Sequence, residues 1–276
     1  MTTEFISDRF STKMIRFSHS WRWVRPDFEA DFRTIEAEKA WRPDAGHEMI
    51  WHTACKYVLK IALPSGRTVA YKRYTSMRLI PYLHYWSPTS REACNFARME
   101  QLGLPMVRLL ATGGIRKCFL PRRCFLITEF AEGFRNGGTF RPGRDFAHET
   151  ALRDEFCRRN FALIARLHDI GWYHRGFTPM NELWRERAEP DAEGNRLDLR
   201  WIDVATCHWA WGAWLRRRIA DDLAQFLQPL DLAPEQRAEL FRTYLAAAKV
   251  KRFTFEELSA AVEKALARRL ARKKAK

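Results

Sequence analysis

The spacing of apolar positions changes twice along the chain. From Glu48 to Tyr74 it is two: MIWHTACKYVLKIAL and RTVAYKRY lie on either side of Pro64-Ser65-Gly66, which predicts a β-hairpin. SPTSREACNFARMEQLGLP then predicts a helix, capped at Thr89 or Ser90, ending near Gly103 with Pro105 beyond. PMVRLLATGG and RRCFLITEFAEG read as two more strands, the second apolar enough to be buried and ending at Glu129. The Gly/Pro-rich stretch 136–145 marks a break. After it the period becomes helical, with Leu152, Phe156, Leu163 and Leu167 forming a stripe. Three further helices follow Asp203, the last carrying Leu258, Val262, Ala265, Leu266 and Leu270 on one side of FEELSAAVEKALARRLARKKAK. Residues 1–45 lack a clean period and predict an irregular lead with one short helix around 28–40. The pattern is that of an α+β protein: an extension over 1–45, a β-rich lobe over 46–131, and a helical lobe over 132–276 ending in a basic helix.

Composition adds a constraint on partners. The 48 basic residues against 33 acidic ones leave a net charge of +15, which favours phosphates, whether of a nucleotide, a nucleic acid or a lipid. Residues 264–276 hold Lys264, Arg268, Arg269, Arg272, Lys273, Lys274 and Lys276 and no acid, so much of the excess lies in one tail. The lead is basic and aromatic, and it reads either as a segment packed on the first lobe or as a membrane or nucleic-acid contact. The cysteines, Cys55, Cys94, Cys118, Cys124, Cys157 and Cys207, form no CxxC pair and point to reduced thiols. Glu4 and Asp8 stand where a signal peptide would be basic and then apolar, and no apolar run approaches the length of a membrane span. A cytoplasmic protein, free or peripheral on the inner membrane, is expected.

The candidate chemistry centres on the stretch from Leu167 to Asp203. LHDIGWYHRGFTPMNELW places His174, Arg175 and Asn181 in a loop after a turn at Gly171, and LRWIDVA brings Asp203 to the end of a strand. In the early hairpin Ala70 and Lys72 share a face, because strand side chains alternate, and a small residue beside a lysine leaves room for a flat ring next to a cation. Glu92 is a candidate partner for Lys72. It competes with a capping box, since Thr89-x-x-Glu92 could turn the carboxylate onto the helix backbone. No glycine-rich phosphate loop precedes Lys72, where the chain offers only Trp51-His52-Thr53-Ala54-Cys55.

Taken in order, V-A-Y-K, the helix with Glu92, the apolar strand into Glu129, His174-Arg175-x5-Asn181 and the strand before Asp203 resemble the protein-kinase-like fold. Within it the chain is most similar to the bacterial lipopolysaccharide core kinases, which phosphorylate heptose or Kdo sugars. SREACNFARMEQLGLPMVRLLATGG, RRCFLITEFAEG, IARLHDIGWYHRG and LRWIDVAT carry the likeness, over roughly residues 48–245.

The resemblance implies a two-lobed fold and the use of ATP and Mg. Lys72 would grip phosphates beside Ala70, Glu92 would orient Lys72, the backbone near Glu129 would meet adenine, and Asn181 and Asp203 would hold the metal. His174 and Arg175 would brace the loop. The acceptor implied is a lipopolysaccharide-core glycolipid at an anionic membrane surface, to which the basic tail would add attraction. Nucleic acid is supported by charge alone and is not expected as a partner.

The departure from the pattern is Gly176, which stands where the kinase loop carries the carboxylate that accepts the substrate proton. Such assistance contributes about 10²–10⁴ in rate. Asp203, Glu182 and Asp169 are the nearby acids that could replace it. Two readings follow, a working sugar kinase and a pseudokinase that acts as a scaffold or regulator with a protein partner.

Overall fold

A computed structural model describes residues 20–75, 88–117 and 120–274. The first part of the basic-aromatic lead, Cys118 and the last two residues of the basic tail lie outside the described residues. By its contacts the chain divides into two compact units, Met1–Arg98 with Val107–Glu132, and Met99–Met106 with Gly133–Lys276.

In the first unit, strand β1 (Ser20–Val24) precedes helix α1 (Glu29–Ala37), and β2 (Glu48–Thr53), β3 (Lys56–Ala62) and β4 (Thr68–Tyr74) follow. Helix α2 (Pro88–Gln101) leads on to β5 (Leu109–Lys117) and β6 (Leu120–Glu129). The strands form one antiparallel sheet in the order β1-β5-β6-β4-β3-β2. Helix α1 lays Phe32 and Ile35 against one face of it, where they join Phe28, Leu59, Val69, Tyr71 and Ile127 in a continuous apolar core. Val69 and Tyr71 of β4 point into that core, so the alternation of strand side chains sends Ala70, Lys72 and Tyr74 to the opposite face.

Two local readings differ from the structure. The stretch 49–63, expected as one strand, is two, turned at Ala54-Cys55 with the Cys55 N–H donating to Thr53 Oγ1 at 3.3 Å. A turn closed by a threonine hydroxyl carries none of the Gly, Pro or Asn punctuation by which turns are recognised in sequence. The lead is also less irregular than its period suggests, since Ser20–Val24 pairs along β5 as an edge strand.

In the second unit, β7 (Arg135–Asn136), helix α3 (Thr150–Asp169), β8 (Trp172–Tyr173), β9 (Glu182–Glu186) and β10 (Leu197–Trp201) are followed by β11 (His208–Trp209). Helices α4 (Gly212–Leu227), α5 (Pro234–Ala247) and α6 (Phe255–Lys274) complete it. Helix α3 packs on α5 and α4 on α6, and two small sheets, β10-β9-β7 and β11-β8, lie at the ends of the loop that follows α3. An aromatic stack fixes that loop from below: Phe177 lies 4.6 Å from Phe226 of α4, which also meets Phe156 and Phe161 of α3, and all four rings are fully buried.

The glycines of NGG are required here. A Cβ on Gly137 would lie 2.2 Å from the Phe156 ring, and one on Gly138 would lie 2.2 Å from Met180 Sδ. Close backbone approach at this point sets the 3₁₀ turn Pro179–Asn181 in place. Strand β10 is tied to α3 through Glu155, whose carboxylate accepts the Leu197 N–H at 2.9 Å.

Candidate active site

In the first unit the structure brings Ala70, Lys72 and Glu92 together. Lys72 Nζ lies 2.8 Å from Glu92 Oε1, and the Tyr74 hydroxyl donates to Oε2 at 3.1 Å. The Glu92 side chain is 1% exposed and that of Lys72 11%. The carboxylate is thus engaged by the sheet, and the capping-box alternative gives way to the ion pair. A desolvated pair of this kind adds little net stability, because taking both charges out of water costs several kcal/mol each before their attraction is counted. Tyr74 was not singled out from sequence, although its position two residues past Lys72 places it on the same strand face.

Glu129 closes β6 opposite Val69. Its N–H is committed to the Arg108 carbonyl at 2.9 Å, and the Phe130 N–H to the Thr68 carbonyl at 3.1 Å.

In the second unit His174 and Arg175 are held on one buried acid, Gly176 and Asn181 are hydrogen-bonded into the same loop, and Asn181 is bonded to Ile202 beside Asp203. Asp222 of α4, 1% exposed, accepts the His174 N–H at 2.6 Å on Oδ2 and the Arg175 N–H at 2.8 Å on Oδ1. His168, at the end of α3, places Nε2 3.3 Å from the same Oδ2, and its Nδ1 meets the Tyr244 hydroxyl at 3.0 Å. Two successive N–H groups aimed at one carboxylate require a sharp bend, and Arg175 takes a left-handed conformation, φ 57°. Asp203, the other site residue with positive φ, stands at 55° just after β10. Held conformations of this kind cluster at functional sites and persist only where the surroundings enforce them.

The His174 ring is buried among Phe177 and Trp201. Its Nδ1 accepts the Gly176 N–H at 3.2 Å, which leaves the proton on Nε2. Burial pushes its pKa below the ordinary histidine value, against the opposing pull of Asp222 and Asp203, so the ring is neutral. The His174 carbonyl accepts from the Thr206 hydroxyl at 3.0 Å, which ties the segment after Asp203 to the loop. Asn181 donates through Nδ2 to the Gly176 carbonyl at 2.9 Å, and this bond leaves its Oδ1 as an acceptor. The Asn181 carbonyl in turn receives the Ile202 N–H at 3.0 Å, fixing Asn181 against the strand end that carries Asp203.

At Gly176 an added Cβ would lie 3.1 Å from Thr206 Oγ1 and 3.3 Å from His174 Nδ1. Of the acids that could replace the missing carboxylate, Asp169 accepts the Lys249 and Val250 N–H groups, both at 2.9 Å. Glu182 is fully buried, and neither of its carboxyl oxygens has a hydrogen-bond partner among the described residues. Burial raises its pKa well above the ordinary carboxylate value. Asp203, like Asp169, is partly buried.

Asp222 and Glu182 are what sequence reasoning missed or misjudged, and each carries a signal. Asp222 falls on the buried stripe of α4 with Leu215, Ile219 and Phe226, and Glu182 alternates with buried Trp184 along β9. An acid at a core position of an amphipathic pattern marks a buried carboxyl.

The sheet-rich first unit with its Lys–Glu pair, and the helical second unit with its acid-anchored His-Arg loop, are those of a protein-kinase-like fold. The model of the lipopolysaccharide kinase (Kdo/WaaP) family matches residues 84–244, more than half of the chain, and the protein belongs to that family. Its structure is similar to that of WaaP in complex with acyl carrier protein, with a TM-score of 0.64 and 16% identity over 91% of this chain and 98% of that one. It also matches the Rio2 kinase-ADP/Mg2+-phosphoaspartate complex from Chaetomium thermophilum, at TM-score 0.48 and 16% identity over 89% of this chain and 76% of that one. The BubR1 kinase domain matches at 0.47 and 14%, over 80% and 79%. At these identities the likeness is one of fold. No curated protein matches the chain.

The buried acids yield two expected outcomes. Asp222→Ala strands the His174 and Arg175 N–H groups and should lower stability by about 2–5 kcal/mol in urea unfolding, with faster amide exchange at both residues; a loss below about 1 kcal/mol would show that the loop is held by other means. Glu182→Leu should stabilise the protein at neutral pH by about 1–3 kcal/mol. A raised native pKa contributes stability that is complete below the unfolded value of 4.5 and lost as pH rises through the native one, so the gain should shrink as pH falls towards 4.5. Both proteins retain His174, whose lowered pKa makes stability fall as pH drops below 6.5, and that decline should appear in each. A pH-independent difference would place the Glu182 carboxyl in water.

Proposed function

We propose that the protein is an ATP- and magnesium-dependent phosphotransferase acting on a sugar hydroxyl of a lipopolysaccharide-core glycolipid at the cytoplasmic face of the membrane. Family membership supports the kinase class, and the observation that carries the nucleotide reading is the buried Lys72–Glu92 pair at 2.8 Å. It is costly to the fold and suited to holding an ammonium ready for phosphate oxygens. Lys72 grips the phosphates, Glu92 and Tyr74 orient it, Ala70 leaves room for the base, and the backbone just past Glu129 meets the adenine edge.

Asn181 Oδ1 and the Asp203 carboxylate are hard oxygen donors fixed to adjoining backbone, which fits magnesium: this ion commonly takes one or two protein ligands and completes its shell with phosphate oxygens and water. Asn181 and Asp203 would hold the ion, which would supply neutralisation of the charge that develops in transfer. His174 and Arg175 brace the loop through Asp222. In the transfer itself the acceptor oxygen bonds to the γ-phosphorus, the bond to the β-phosphate oxygen breaks, and the acceptor loses its proton. With Gly176 in the loop that proton lacks the usual acceptor, and the rate falls by up to the 10²–10⁴ that such a base supplies. Positioning and charge neutralisation account for most of phosphoryl-transfer catalysis, so activity survives the loss.

Gly176 is also the observation that favours a second reading, a pseudokinase that binds the same glycolipid or regulates a protein partner. WaaP was captured with acyl carrier protein, and a protein partner belongs to this reading. Among the described residues no helix is long and apolar enough to cross a membrane. The basic α6 adds attraction to anionic lipid, although Arg268 is paired with Asp221 at 3.2 Å and Arg269 with Gln228 at 3.2 Å, which docks the root of the tail on α4.

Saturating ATP with magnesium should stabilise the protein by about 2.7 kcal/mol at a hundredfold excess over Kd, read as a rise in melting temperature, and Lys72→Ala or Asp203→Ala should each abolish the rise. An unchanged melting temperature at millimolar nucleotide would overturn both nucleotide readings. Gly176→Asp, combined with Thr206→Ala to relieve the 3.1 Å contact, should raise transfer to a core-sugar acceptor by at least tenfold, the lower part of what a general base supplies. An unchanged rate would mean that another group takes the proton.

A further inference from the structure

We propose that the second unit carries a bilayer-docking face, made by Trp209, Trp211 and Trp214 with cations around them, that seats the protein on anionic lipid. This deepens the membrane part of the proposed function and rests on that reading for the position of the acceptor. The indoles are 55%, 69% and 50% exposed, and Ile170 and Val250 extend the patch at 40% and 42%.

The face is built and held, not frayed. Strand β11 pairs with β8 in the register His208↔Tyr173 and Trp209↔Trp172, and the Ala210 N–H donates to the Gly171 carbonyl at 2.9 Å. The Trp209 ring covers Gly171, where an added Cβ would come within 3.0 Å of Nε1, and it meets Trp211 at 4.7 Å between centroids. Arg218 stacks over Trp214 at 4.3 Å and reaches the Tyr173 ring at 5.5 Å, which fixes the third indole to the same small sheet. On the other side Asp169, next to Ile170, holds the Lys249 and Val250 N–H groups, so Val250 continues the apolar strip.

Charge selects the occupant. Residues 204–220 contain no Asp or Glu and include Arg216, Arg217 and Arg218, of which Arg216 is paired with Glu257 at 3.1 Å and Arg218 with Asp221 at 3.6 Å, so Arg217 carries the charge of this stretch towards a ligand. Arg216 and Arg217 are exposed, as is Lys249 beside Val250. Half-exposed indoles rimmed by arginine and lysine are the composition that settles at the level of lipid headgroups, where the ring is apolar, its N–H stays wet and the cations meet phosphate. The apolar groups stand on turns, a strand end and the first turn of α4, with no long helical or sheet face between them, which suits a soft, laterally uniform surface better than a shaped protein epitope.

The test uses the full chain in flotation with vesicles of phosphatidylcholine, alone or mixed with phosphatidylglycerol. The protein should float with the phosphatidylglycerol vesicles, and less so at high salt. Trp211→Ser, at the most exposed position, should weaken binding severalfold; Trp209→Ser/Trp211→Ser/Trp214→Ser together should weaken it more than tenfold. Arg217→Glu should weaken it by about fivefold or more. Circular dichroism and the nucleotide-dependent melting shift should stay as in the wild type for all of them.

The proposal is overturned if the wild type does not bind anionic vesicles, or if the triple variant binds them as the wild type does. It is overturned as well if deleting 264–276 abolishes binding while the tryptophan variants retain it. Wild-type retention on immobilised polyglutamate, lost in the tryptophan variants while vesicle binding is unchanged, would make the face a site for an acidic protein and also overturn it. Loss of the nucleotide shift with intact, tryptophan-dependent vesicle binding would remove the kinase reading and leave this one standing.

Discussion

One carboxylate organises the helical unit. Asp222 stands in the core of α4 and takes the N–H groups of His174 and Arg175 while His168 of α3 presses on the same oxygen. A buried acid without such partners would be expensive, so helix and loop stabilise each other or neither is stable. The left-handed turn at Arg175, the neutral His174 ring beneath the loop, and the Thr206 hydroxyl on the His174 carbonyl all follow from that anchor.

The sheet unit contains a second buried charge, managed differently. Glu92 divides its oxygens between an ammonium and a phenol, and Lys72 remains close to the surface with 11% of its side chain exposed. Three strand residues of one face, Ala70, Lys72 and Tyr74, supply the setting, because the other face of β4 is consumed by the apolar core under α1. Against these two well-satisfied acids Glu182 is the exception. It is as deeply buried, with no partner among the described residues, and burial raises its pKa well above the ordinary carboxylate value. In the proposed chemistry the loop carries Gly176 where a kinase loop has its proton-accepting carboxylate.

The aromatic load divides along the same lines. Phenylalanines stack in the core of the helical unit around Phe226, where area and shape are all that matter. The tryptophans of the segment after Asp203, one on β11, one at the N-cap of α4 and one in its first turn, remain half in water beside arginines. That placement costs apolar exposure, and the proposed lipid face gives the exposure a use.

Much of this was legible before any coordinates. Alternation from Glu48 to Tyr74, the Gly103 and Pro105 stop, and the helical stripe from Leu152 to Leu167 fix elements because backbone period and side-chain burial are local properties. The ordered set from Lys72 to Asp203 also identified the fold and family, because such spacings are preserved in the chain itself. What the sequence left open was decided by contacts between distant segments. Glu92 could cap its own helix or meet Lys72, and only the packing of α2 against the sheet settles which. Asp222 and Glu182 look alike as acids in apolar patterns, yet one finds two N–H donors and the other none, a difference set by which loop folds over each. The turn at Ala54-Cys55 rests on a single threonine hydroxyl. Pattern determines which face is buried, and the tertiary structure determines whom each buried charge meets, because a carboxylate's partners are supplied by whatever chain arrives there and not by its neighbours in sequence.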